Sequence, residues 1–266
     1  MEQVMMGAIV LAVVLVVRRK DIFVFRWQPE KGTRVAVGTG LLAFVLSAVL
    51  LLLEPGSLAG HLVLYVGTWV VCGAVIPWGY TLLVEGDSIS SLGLRREKWK
   101  QSLLIGLGLA AFFSPVFVFQ TDWSGVNWND VGRSAVVLIG GGGLFELFLF
   151  YGFIHLRLEK AFGPLPAIVL TAVVYVLWHT GTQLTLEAGP WLGALKLLGV
   201  GIMYQGVFSL TYNLLVIWPF FMGMGVMIDF LVNIGDLGTI SAAFPWGVGS
   251  ILAIGVVVLA VRRAAS

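Results

Sequence analysis

Charge is scarce in this sequence. Only 11% of its side chains are Asp, Glu, Lys or Arg, against roughly a quarter in soluble domains. With 59% hydrophobic residues and a mean hydropathy of +0.97, the shortage excludes a soluble globular domain and indicates a polytopic membrane protein. The net charge of +2 and the lack of a long basic cluster give no footing for a nucleic-acid partner. Cysteine is nearly missing too. A lone Cys72 excludes an internal disulfide and any multi-cysteine metal site, and its apolar flanks make it a small core residue. Histidine occurs three times, at His61, His155 and His179, never as the H-E-x-x-H pattern of the common metalloproteases. No low-complexity segment and no internal repeat is visible, which weakens the case for an inverted-repeat transporter.

What is abundant is apolar sequence. The runs Val4–Val17, Leu41–Leu53, His61–Val84, Ser102–Gln120, Ser134–Leu156, Leu165–Thr180, Leu192–Thr211, Ile217–Val232 and Val248–Val261 predict an all-α, polytopic transmembrane helical bundle of about nine spans. Eight is the alternative, because the link at Tyr212–Val216 carries no charge to confirm a turn. Arg18, Arg19 and Lys20 follow the first run rather than precede it, which argues for a retained helix and against a cleaved signal. Basic residues gather in alternate loops: Arg26, Lys31 and Arg34, then Arg95, Arg96, Lys98 and Lys100, then Arg157 and Lys160, then Arg262 and Arg263. The opposite loops carry mainly Glu54, Asp122, Asp130, Arg133, Glu187 and Asp236. The positive-inside rule then places the N-terminus outside and the C-terminus in the cytoplasm. Trp123, Trp128, Trp191 and Trp246 fall at outer ends, as an interfacial aromatic belt would.

Three ionisable residues lie deep inside these runs. Charge at bilayer depth costs at least about 2.5–3.5 kcal/mol on insertion scales, so each marks a candidate site. If the turn near Arg157–Pro164 lies at one membrane face, Glu146 sits roughly 16 Å inward and His179 roughly 22 Å. Asp229, counted from Trp218, sits roughly 16 Å deep as well. Asn233 follows it one turn later on the same face, and Gly142 and Gly143 lower the helix wall beside Glu146. His155 comes nine residues after Glu146. On an α-helix that is the opposite side, which makes it an interfacial residue rather than a ligand. A carboxylate paired with an imidazole can take a proton from water and return it to a leaving group. The same three residues also fit a structural polar network or a proton relay. One deep histidine with two carboxylates is a thin set for zinc, which favours three protein ligands at catalytic sites. A divalent metal is therefore weakly supported, and no metal ligand is assigned.

These residues resemble the CPBP family of CAAX proteases and bacteriocin-processing membrane enzymes, also called Abi. Its pattern is Glu-Glu-x-x-x-Arg-Gly on one span, aromatic-x-x-x-His on the next, and His-x-x-x-Asn/Asp on a later one. Glu146 through Gly152 resembles the first, Tyr175 through His179 the second, and Gly225 through Asp229 the third. The stretch Ser91–Trp99 is similar to the segment ahead of the family core. Three positions depart: Leu147 stands for the second glutamate, Tyr151 for the arginine and Gly225 for the second histidine. The resemblance implies a membrane core over 88–233, flanked by N-terminal spans over 1–87 and a C-terminal span over 234–266. It also implies an intramembrane endopeptidase acting on a membrane-associated peptide or protein, set in membrane lipid, with a bacterial cytoplasmic membrane as its home. Glu146 and His179 would activate the water, and Asp229 would be the remaining polar group opposite. Tyr151, Tyr175 and Asn233 would bind substrate or support the site. The departures keep two other readings open: an inactive relative that binds or escorts a membrane peptide, and a proton-coupled transporter.

Overall fold

A backbone in lipid has no water for its N–H and C=O groups, so an apolar chain of this kind must satisfy them within helices. The computed structural model describes residues 2–18, 20–54, 56–95, 97–113, 123–179, 190–232 and 243–264, and no strand occurs among them. Nine helical rods, besides a single 3₁₀ turn at Ile89–Leu92, follow in order among the described residues. They are α1 (Glu2–Val17), α2 (Lys31–Leu52), α3 (Leu58–Val84), α4 (Trp99–Phe113), α5 (Trp128–Phe162), α6 (Pro164–His179), α7 (Pro190–Thr211), α8 (Leu214–Val232) and α9 (Phe244–Ala264). Among the described residues, Lys31–Leu52, Leu58–Val84, Trp128–Phe162 and Trp191–Thr211 are long and apolar enough to cross a membrane.

Among the helix boundaries that differ from those read in the sequence, two have a local cause. Helix α2 begins at Lys31 rather than Leu41, so Lys31 and Arg34 are helical. The Thr33 hydroxyl accepts the Glu30 N–H at 3.2 Å, half of a capping box that starts the helix early. Helix α5 continues to Phe162, so the expected turn at Arg157–Pro164 contracts to Gly163. That residue has φ +96°, and a Cβ there would lie 1.9 Å from the Val24 carbonyl oxygen. Only glycine fits such a position.

Long parts of α3 and α5 are π-wound: Leu62–Val75, Tyr80–Val84, Val137–Gly142 and Leu147–His155. The two rods lock through paired notches. A Cβ on Gly141 would fall 1.9 Å from the Trp69 ring, and one on Gly73 would fall 2.9 Å from the Phe145 Cα. Small residues permit this close approach where lipid supplies no hydrophobic drive between helices. Gly73→Ala should therefore displace Phe145 and the turn that carries Glu146. The expected loss is about 1–3 kcal/mol, read as a lower unfolding midpoint in detergent micelles; an unchanged midpoint would show the contact to be slack.

Close contacts also fix helix directions. Gly199 meets Gln3 and Val4 while Gly206 meets Val10 and Val14, so α1 runs parallel to α7. Gly106 meets Val216 and Pro219 while Gly223 meets Ala110, so α4 runs parallel to α8. One end of the bundle thus collects the polar joints. Arg157 of α5 pairs with Glu85 after α3 and donates to the Thr81 hydroxyl at 2.7 Å. Lys160 pairs with Glu30 at 2.7 Å, and Arg18 reaches Asp21, Glu159 and Tyr212. Burial, then the Glu159 carboxylate beside it, raises the Tyr212 phenol above its ordinary value, so it stays a proton donor. The α7–α8 link turns on Tyr212 at φ 49°. Asn213 then accepts the Leu215 N–H and donates to Ser102, each bond near 3 Å. Cys72 is fully buried in the core.

Candidate functional site

Helix α5 carries Glu146 at the junction between its short α-helical turn Gly143–Glu146 and the π-wound stretch Leu147–His155. Such local widening is frequent at functional positions because it re-aims side chains. Helix α6 carries His179 as its last residue. The antiparallel turn at Gly163 brings the two together, with His179 Nε2 3.9 Å from Glu146 Oε1. Both are nearly enclosed, with side chains 4% and 12% exposed.

The last turn of α6 is held from several sides. The Ser47 hydroxyl of α2 donates to the Trp178 carbonyl at 2.6 Å, and the Trp178 ring stands edge-on to Phe145 at 4.9 Å. Tyr175 lies one turn before His179 with ring centroids 4.1 Å apart. Its carbonyl oxygen is 2.9 Å from His179 Nδ1. A carbonyl can only accept, so Nδ1 carries the proton, and in the neutral ring Nε2 is an acceptor. Two acceptors therefore face each other across a gap too long for a direct hydrogen bond. A water placed about 2.8 Å from each can donate one O–H to Glu146 and the other to His179. Its lone pairs then remain available for attack.

Tyr151 is fully buried on the π-wound stretch, packed against Tyr204, Phe208 and Phe221. Its hydroxyl has no hydrogen-bond partner among the described residues, and it lies within electrostatic reach of Glu146. Asp229 belongs to α8. It lies two turns beyond Met222, whose side chain packs where a Gly143 Cβ would project. The Asp229 side chain and all of Asn233 lie outside the described residues. Among the described residues no three His, Cys, Asp or Glu side chains gather as a metal site would require.

His155 overturns its reading as an interfacial residue on the far side of α5. It is completely buried and stands edge-on to Phe208 at 5.3 Å, the same ring that meets Tyr151 at 6.0 Å. The reason is the winding. Hydrogen bonds of the i→i+5 kind give about 4.4 residues per turn, so nine residues close on two turns instead of two and a half. Ser47 was missed as well, since one serine within an apolar run carries no signal of its partner.

Residues 128–227 match the family model described as Rce1-like, Type II CAAX prenyl endopeptidase Rce1-like. No curated protein and no solved structure matches the chain. The matched segment runs from the first residue of α5 into α8 and holds both Glu146 and His179. By that match residues 128–227 of this chain are similar to the CAAX-protease, or CPBP, family.

Proposed function

We propose that this protein is an intramembrane endopeptidase that cleaves a membrane-associated peptide or protein with a water held between Glu146 and His179. The observation that carries the reading is the 3.9 Å approach of His179 Nε2 to Glu146 Oε1 inside a segment that matches a CAAX endopeptidase model. Glu146 takes a proton from the water as its oxygen adds to the scissile carbonyl carbon. The same proton passes to the leaving nitrogen as the C–N bond breaks, so no outside acid or base is consumed. Tyr175 holds the His179 ring in the required tautomer, and Tyr151 and Asn233 support the substrate. Asp229 serves as the polar group on the substrate side, opposite the attacking water. Further proposals are nine spans, an outer N-terminus, a cytoplasmic C-terminus and a bacterial cytoplasmic membrane. The same holds for the division into 1–87, 88–233 and 234–266.

The replacements Leu147, Tyr151 and Gly225 favour a second reading, a relative that binds or escorts a membrane peptide without cutting it. Losing one oxyanion donor costs about 10²–10³ in rate. Co-expression with a panel of membrane-anchored peptides separates the two. The peptidase reading expects shortened products. Intact peptides co-purifying with the protein would replace it with the binding reading. Proton-driven uptake into vesicles that is abolished by Asp229→Asn would instead establish transport.

A further inference from the structure

The π-wound stretch of α5 aligns more than the residues of the proposed site. Glu146, Tyr151, His155 and Glu159 follow at spacings of five, four and four residues, one face of a helix that is π-wound to His155 and α-helical afterwards. Helix α7 answers with Tyr204 and Phe208, also four apart, and Tyr212 follows in the link at the same interval. Tyr204 rings against Tyr151, Phe208 against Tyr151, His155 and Tyr212, and the Tyr212 hydroxyl donates to Glu159. At the far end Glu159 also accepts from Arg18 at 3.1 Å, and His155 Nε2 lies 3.3 Å from Glu159 Oε2. Both Arg18 and Glu159 reach the surface, with side chains 13% and 14% exposed.

Along this face Tyr151 Oη and His155 Nδ1 are buried without a hydrogen-bond partner among the described residues, while His155 Nε2 faces Glu159. A buried polar group left unmatched costs about 1–3 kcal/mol, so two in sequence between two carboxylates need an explanation beyond packing. Intramembrane Glu, His and Tyr in a row are the chemistry of a proton relay, with bridging water closing the gaps. The other charged and titratable groups gathered around Glu159 are Arg18, which also pairs with Asp21, and Tyr212 of the α7–α8 link. Arg157 turns away to Glu85 and Thr81, and Leu92 brings its carbonyl oxygen and an apolar, uncharged side chain beneath Gly152.

We propose that Glu146 exchanges its proton with the aqueous phase at the Arg18–Glu159 end of the bundle, through Tyr151, His155 and Glu159. A proton entering at Glu159 moves to His155, then across Tyr151 to the Glu146 carboxylate, and leaves by the reverse hops. Resting on the peptidase reading, the consequence is that pH on that side sets how much Glu146 is ready to act as base.

The path itself is tested without a substrate. The full-length protein in phosphatidylcholine vesicles is given a pH jump while the infrared carbonyl-stretch band of protonated carboxyl groups is followed. Glu146→Gln identifies the component that belongs to Glu146. Tyr151→Phe and His155→Phe keep the ring packing and are each expected to slow that component by tenfold or more without changing its final amplitude. Wild-type rates in both variants would overturn the relay, as would a band with no Glu146-dependent component. Peptide cleavage, measured separately, stands or falls on its own.

Discussion

Glu146→Gln is expected to lower peptide cleavage by about 10²–10⁴-fold, the usual contribution of a positioned base. The substitution keeps size, shape and one carbonyl oxygen, so packing around the side chain is preserved. What it removes is the site that accepts a proton as the water attacks. An amide oxygen holds the water but does not take its proton. The measurement is single-turnover cleavage of a membrane-anchored peptide, with the unfolding midpoint of the variant as control. A variant within threefold of wild type would move the chemistry to another group.

Arg157→Ala should give the largest loss of stability, about 3–5 kcal/mol, because it leaves a partly buried carboxylate without its partner. The Arg157 side chain is only 9% exposed, pairs with Glu85 and donates to Thr81. Its guanidinium also lies 4.0 Å from the Phe153 ring centroid. Those contacts join α5 to the end of α3 at the polar end of the bundle. The companion pair Lys160–Glu30 is largely exposed, and such pairs contribute about 0–1 kcal/mol. Unfolding of Arg157→Ala and Lys160→Ala in the same detergent should therefore differ clearly. Equal, small effects would show that the Arg157 cluster bears no special weight.

How much of this was readable in advance depends on the residue. The approach of Glu146 and His179 follows from counting inward from one tight turn, since two antiparallel helices with deep polar groups must bring them to similar heights. Tyr175 was readable as the aromatic one turn before His179. His155 was not, because the count assumed 3.6 residues per turn where the helix is π-wound. The contacts that lock this rod to α3 are no more visible locally: Gly141 receives Trp69 and Gly73 receives Phe145. Pairings of that kind join positions about 70 residues apart and leave no local periodicity. The start of α2 was hidden for a different reason. Lys31 and Arg34 look like loop residues until Glu30 and Thr33 are seen as a cap. Ser47 belongs to the same class, a polar residue whose meaning lies on another helix.

The central claim is that Glu146 and His179 act as one unit on one water. Groups that do so are strongly non-additive, each single loss costing nearly as much as both. The direct measurement is cleavage rate in Glu146→Gln, His179→Ala and the double variant, under identical lipid and pH. The account predicts that the double variant is slower than either single one by no more than a few-fold. A double variant whose loss equals the product of the two single losses would mean that the residues act independently, and the shared water would have to be abandoned.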